Sequence, residues 1–133
     1  MNIDPISDML TRTRNAQAVG HKTVNLVHSK IKFELARILS TEGYVGAVKE
    51  LGKGVTREIE MVLKYKDERN TIPKIQGLMR ISRSGQRIYV AKKDLIRYSQ
   101  GRGIIILTTS SGLMTDKEAK KKGLGGELIC RVF

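Results

Sequence analysis

Residues 101–133 read GRGIIILTTSSGLMTDKEAKKKGLGGELICRVF, and the fold turns on how this stretch is parsed. Ile104 to Leu107 is an apolar run that feeds four hydroxyl side chains, Thr108, Thr109, Ser110 and Ser111. Gly112 and the apolar pair Leu113 and Met114 follow, so the hydroxyls fall at a polar tip between two strands. Thr115 and Glu118 have the spacing of a capping box. In that motif the threonine hydroxyl accepts an orphan N–H and the glutamate reaches back. A helical turn therefore starts at Thr115 and stops at Gly123, with Lys117 and Lys120 to Lys122 outside. Gly125 and Gly126 free the backbone for close approach as a closing strand, Glu127 to Phe133, begins.

Working back from this stretch, the second half is strand-rich. Lys74 to Ser82 reads as a strand with Gly77 in its interior, Ser84 and Gly85 as a turn, and Arg87 to Ala91 as the strand that pairs back. Lys92 to Gln100 holds a short helix that Gly101 ends. The polar stretch Asp67 to Pro73 is expected to be a linker.

The first half alternates helix and strand. Asp4 is placed to cap a helix with Pro5 at its first position, where a missing N–H costs nothing. Ile6, Met9, Leu10 and Thr13 recur on one face of it. Val24 to Val27 is a strand. Ser29 caps a second helix with Ile31, Leu35, Ile38 and Leu39 as its apolar face, and Gly43 stops it. Tyr44 to Leu51 and Thr56 to Tyr65 are strands around a turn at Gly52 to Gly54; Ile59, Met61, Leu63 and Tyr65 alternate with polar residues. The expected fold is α+β in two small lobes: residues 1–70, α-β-α-β-β, and residues 71–133, mostly antiparallel β with short helices.

The 133 residues carry 25 Lys+Arg against 13 Asp+Glu, a net charge of +12. Residues 71–133 account for +9 of it. Such an excess repels itself unless a polyanion takes it up, and its position puts the main polyanion contact in the second lobe. No stretch is apolar enough to span a bilayer, and the first residues lack a signal-peptide pattern. Cys130 is the only cysteine, which excludes an intrachain disulfide and a cysteine cluster for zinc. The expectation is a soluble, intracellular, nucleic-acid-binding chain with no membrane partner.

Catalytic patterns fail one by one. Three G-x-G pairs begin at Gly52, Gly101 and Gly123, but Arg57, Ile106 and Leu128 stand where the dinucleotide fingerprint needs its third glycine. His21 and His28 have no carboxylate cluster near them in sequence and read as surface loop residues. Glu58 and Glu60 share a strand face that they keep wet. No cofactor or metal is called for, and no residue is nominated as catalytic.

RNA readers need cations for phosphate, hydroxyls for base edges and the 2′-OH, and flat rings for stacking. Lys74, Arg80, Arg83, Arg87, Lys92, Lys93, Arg97 and Arg102 supply the cations. Tyr89, between Ile88 and Val90, shares a strand face with Arg87; it either points outward to stack or lies under a helix. The Thr108–Ser111 tip is a close-approach surface or an ordinary turn. Glu127 either accepts from a base or pairs with Arg131 on its own strand face.

Four segments together resemble the bacterial small-subunit ribosomal protein eight family: DPISDMLTRTRNA at residue 4, SKIKFELARILSTEGY at residue 29, SRSGQRIYV at residue 82 and TTSSGLMTDKEAKKKGLGGE at residue 108. The last is the most specific, because several fixed spacings agree at once. The family usually has Ser-Thr-Ser at the tip, where this chain has Thr108, Thr109 and Ser110. The resemblance implies direct binding to an irregular helix in the central domain of small-subunit ribosomal RNA, and help in assembling that domain. It carries over Thr108, Thr109, Ser110 and Glu127 as contacts, with Tyr89 close by; Ser111, Gly112, Arg87, Arg83, Lys92 and Lys93 complete the surface. Arg12, Arg14, Lys30 and Lys32 are expected to form a second RNA surface in a lobe that faces neighbouring ribosomal proteins. The chain is expected to be a cytoplasmic monomer within the small subunit.

Overall fold

A computed structural model describes residues 4–133. The chain divides into two compact units, residues 5–76 and residues 77–133 together with Asp4. The α+β class expected from the sequence holds in both.

In the first unit the order is α1 (Pro5–Ala18), β1 (Thr23–Val27), α2 (Lys30–Thr41), β2 (Val45–Leu51), one 3-10 turn (Gly54–Thr56) and β3 (Glu58–Leu63). The strands form an antiparallel sheet in the order β1-β3-β2. In β3, Ile59, Met61 and Leu63 are buried while Glu58 stays exposed, the period-two pattern of a strand with one wet face. On α1 the buried stripe is Ile6, Met9, Leu10, Thr13, Ala16 and Gln17. Asp4, the expected cap, has its carboxylate 3.1 Å from Arg80 Nε.

The α2 face is turned from the expected one. Ser29 does cap it, its hydroxyl accepting the Lys32 N–H at 3.3 Å. The buried stripe, however, is Lys32, Leu35, Ala36 and Leu39, while Ile31 is 38% exposed. Positions 32, 35, 36 and 39 have the i, i+3, i+4, i+7 spacing of a single helical face. A lysine can join it because its aliphatic stem buries at little cost.

Residues 67–73 are not a free spacer. The Asp67 carboxylate accepts the Thr71 hydroxyl and the N–H groups of Ile72 at 2.9 Å and Thr71 at 3.0 Å, folding the loop on itself; the hydroxyl bond leads the effects that hold that carboxyl below the ordinary range. Lys66 and Lys74 then bond back, Lys66 N–H to Ile72 C=O at 2.7 Å and Lys74 N–H to Lys64 C=O at 2.9 Å. The chain therefore stays with the first unit until Gln76. The expected strand Lys74 to Ser82 shrinks to β4 (Leu78–Arg80).

The second unit continues with β5 (Tyr89–Val90), α3 (Leu95–Tyr98), β6 (Ile104–Thr109), β7 (Gly112–Thr115), α4 (Asp116–Lys122) and β8 (Gly126–Val132). The sheet order is β4-β8-β6-β7, with β5 also on β8. The expected hairpin between Lys74–Ser82 and Arg87–Ala91 does not form as a ladder. Instead β4 pairs with residues 130–132 of β8 and β5 with Gly126 and Glu127, end to end along one edge. Between them the Ser82 hydroxyl takes the Ile88 N–H at 2.8 Å, a side chain standing in for a strand partner. Only the turn tip closes as expected, through reciprocal Arg83 and Gln86 backbone bonds around Ser84 and Gly85. The helix expected over Lys92–Gln100 is four residues long, entered by a turn in which Asp94 N–H bonds Ala91 C=O.

The core of this unit is Val90, Leu95, Ile105, Leu107, Met114, Ala119 and Leu128, flanked by Ile81, Ile88 and Leu124. Half of the predicted capping box is present on α4: Thr115 Oγ1 accepts the Glu118 N–H at 3.3 Å, while Glu118 makes no return bond. Gly123 ends that helix in the left-handed conformation.

Candidate nucleic-acid interface

β8 is bonded to β6 on one side and β5 on the other, and this sets a row of three side chains. Thr108 is opposite Glu127, and Glu127 is opposite Tyr89. Residues directly opposite across antiparallel strands share a face and lie about 5 Å apart, so the three form a ridge across the sheet. Two glycines allow it. A Cβ at Gly126 would lie 2.0 Å from Thr108 O, and one at Gly125 would lie 2.3 Å from Val90 O. Side chains at either position would push β8 away from its neighbours.

Tyr89 is 69% exposed. Val90 behind it is part of the core, so the outward reading of the tyrosine is correct and the buried one is not. Glu127 is 8% exposed. Its Oε2 accepts from Arg87 NH1 at 3.1 Å, and the bond pushes the Arg87 pKa up from its ordinary value. Oε1 takes no hydrogen bond from the described residues and is not sealed from solvent. The carboxylate thus has one oxygen fixed and the other on offer.

Pairing of Glu127 with Arg131, one of the two readings of the sequence, does not occur. β8 carries a bulge: Ile106 is opposite Cys130, but Leu107 is opposite Leu128. The extra residue, Ile129, reverses the alternation, so Glu127 and Arg131 face opposite sides. Arg131 instead donates to the carbonyls of Tyr98 and Arg102.

The hydroxyl tip is a two-residue hairpin turn, Ser110 and Ser111, closed by the Thr109–Gly112 pair. Thr109 is spent largely on the turn: its hydroxyl donates to Gly112 C=O and accepts the Ser111 N–H, both at 3.0 Å. The hydroxyls of Thr108, Ser110 and Ser111 make no hydrogen bond among the described residues, and Ser110, Ser111 and Gly112 are exposed. Arg83, Lys92 and Lys93 are exposed cations of the same unit. Arg80, also expected to meet phosphate, is instead tied to Asp4 and to Ile129 C=O at 2.7 Å.

In the first unit Arg14 and Lys30 are exposed. Arg12 is exposed and paired with Asp8 at 2.9 Å. Lys32 is 7% exposed and so lies in the buried stripe of α2 rather than on an open cationic face. His28 is no simple loop residue. Its Nε2 is 2.8 Å from Glu50 Oε1, Arg57 NH2 is 2.9 Å from the same oxygen, and its ring lies near Phe33. The His28 bond leads the effects that hold the Glu50 carboxyl below its ordinary range.

Neither Asp94 nor Tyr98 was singled out as a candidate from the sequence. With Tyr89, Val90 and Arg97 they line a cavity of about 330 Å3. Its signal is tertiary, because a strand and a separate short helix bring these residues together. Cys130 is not a reactive thiol, since burial pushes its pKa up to about 12. No group of three or more metal-ligating side chains occurs among the described residues, and no helix is long and apolar enough to cross a membrane.

Residues 4–133 match the family described as ribosomal protein S8. Among similar proteins, the small ribosomal subunit protein uS8 of Rubrobacter xylanophilus is 48% identical over 98% of this chain and 97% of its own length. The uS8 protein of Caldanaerobacter subterraneus subsp. tengcongensis is also 48% identical, over the same shares of both chains. That of Solibacter usitatus is 47% identical over the whole of both. A family match over all the described residues, with relatives of this identity along the full chain, places the protein: it belongs to the ribosomal protein S8 family.

Proposed function

We propose that the chain is a non-catalytic component of the small ribosomal subunit that binds the central domain of small-subunit ribosomal RNA directly and helps that domain to assemble. The observation that carries this reading is the ridge of Thr108, Glu127 and Tyr89 beside the exposed Ser110–Ser111 tip. Free hydroxyls suit base edges and 2′-OH groups, an exposed ring suits stacking, and a carboxylate with one open oxygen suits a base amino or imino group. Arg87 fixes that carboxylate through one oxygen and, half exposed itself, is in reach of phosphate. Arg83, Lys92 and Lys93 add sequence-independent attraction, so affinity falls as salt rises.

Arg12, Arg14 and Lys30 make a second phosphate-facing surface in the first unit, which also meets neighbouring small-subunit proteins; Lys32 contributes packing instead. The protein acts as a monomer within the particle. The test is binding of the full chain to a central-domain ribosomal RNA fragment with unrelated RNA as competitor. Specific binding survives competitor, and Ser110→Ala weakens it by about 1 kcal/mol. Equal affinity for unrelated RNA would refute the function, and wild-type affinity in both Ser110→Ala and Glu127→Ala would refute the site.

A further inference from the structure

Next to the ridge, the cavity lined by Tyr89, Val90, Asp94, Arg97 and Tyr98 has a volume of about 330 Å3, at the low end of the range for small-molecule sites. Two aromatic rings, a carboxylate and a guanidinium surround it, over an apolar residue that belongs to the core. The frame is fixed from behind. Leu95 is fully buried, and Arg131 holds the carbonyls of Tyr98 and Arg102. The polar groups, by contrast, are not spent on the fold. Asp94 gives α3 no side-chain cap, and among the described residues neither Asp94 nor Arg97 enters an ion pair.

We infer that this cavity receives a single unstacked nucleotide of the bound RNA, with guanine preferred. The inference rests on the RNA-binding reading and deepens it by naming the ligand. An ionised carboxylate only accepts hydrogen bonds. Guanine offers it two adjacent donors, N1–H and the 2-amino group, whereas each other base offers no such adjacent pair on one edge. Tyr89 and Tyr98 supply stacking surfaces, a contribution that any base can use. Arg97 is placed for the nucleotide's phosphate, and its charge disfavours a lysine or arginine side chain as the guest of Asp94.

The experiment is an NMR titration of the full chain with each of the four nucleoside 5′-monophosphates, which share one phosphate and differ in base. GMP perturbs the resonances of Tyr98 and Arg97 most. Asp94→Asn weakens the GMP response about tenfold and leaves the others unchanged. Equal responses to all four, or none, overturn the inference. Because the Asp94 side chain accepts no hydrogen bond among the described residues, the variant should melt with the wild type, which separates loss of binding from loss of structure.

A second arm uses the central-domain RNA fragment, to which Asp94→Asn should bind about tenfold more weakly. Unchanged binding overturns the pocket and leaves the RNA reading intact. A wild-type chain that responds to GMP but does not prefer this fragment keeps the pocket and overturns the choice of RNA.

Discussion

In each unit a glutamate is held against basic side chains, and the two are built for different ends. In the first unit Glu50 receives both His28 and Arg57 on a single oxygen and is itself 40% exposed in its side chain. In the second, Glu127 has one arginine partner, is 10% exposed, and lies between two glycine-thinned strand contacts. The first carboxylate has two basic partners within the fold and enough exposure for water to serve its other oxygen. The second is pre-oriented but incompletely used, with its arginine out in solvent. A buried carboxylate with spare hydrogen-bonding capacity is costly to keep, which accords with its proposed role as an RNA contact. The Glu50 cluster needs no ligand and is read as a brace for the ends of β1, β2 and β3.

Three measurements would break or sharpen this contrast. The largest effect is expected from Gly126→Ala, whose new methyl would meet the Thr108 carbonyl oxygen. Urea unfolding should show a loss of about 3 kcal/mol, with RNA affinity falling alongside. Full stability would mean that the close approach of β8 to β6 is not what builds the ridge.

Next comes a paired substitution. Glu127→Ala should cost about 2 kcal/mol of binding to the central-domain RNA fragment, while Glu50→Ala should leave that binding within about 0.5 kcal/mol. Equal losses in both variants would erase the distinction between an offered and a satisfied carboxylate.

The smallest effect is one of pH. The folded pKa of Glu50 is depressed, so its contribution is present above the ordinary glutamate range and is lost as pH falls through the lowered folded value. Midpoints of urea unfolding measured across the acid limb should therefore decline less steeply in Glu50→Gln than in the wild type. Parallel limbs in the two proteins would remove the brace from the account.

Much of this was legible in the sequence because it depended on local rules. The alternation of Ile59, Met61 and Leu63 with polar neighbours, the Ser29 and Thr115 caps, and the hydroxyl tip between apolar strands all follow from periods of two and 3.6 and from cap chemistry. What escaped the sequence depended on pairings between distant segments. The partner of Glu127 could not be read because one bulged residue in β8 reverses the alternation on which a same-face argument rests. The Lys32 stripe of α2 escaped because hydrophobicity ranks Ile31 above a lysine whose stem packs well. The break at Gln76 escaped because Pro73 and the polar residues before it resemble a linker, whereas Asp67 ties them into a closed loop. Of the expected site, Thr108, Ser110, Glu127 and Tyr89 share one region; Thr109 closes the turn beneath them.

The end-to-end arrangement of β4 and β5 along β8 has a consequence for the order of events in a cell. Chains are made from the N-terminus, and domains tend to fold as units when their parts are present. β4, β5 and β6 all leave the synthesising ribosome before the one strand they have in common. Until β8 emerges, those strands lack their shared ladder partner, and the three elements that carry Thr108, Glu127 and Tyr89 cannot be aligned. The surface proposed to meet RNA thus forms only after β8 has been made and has settled between its neighbours.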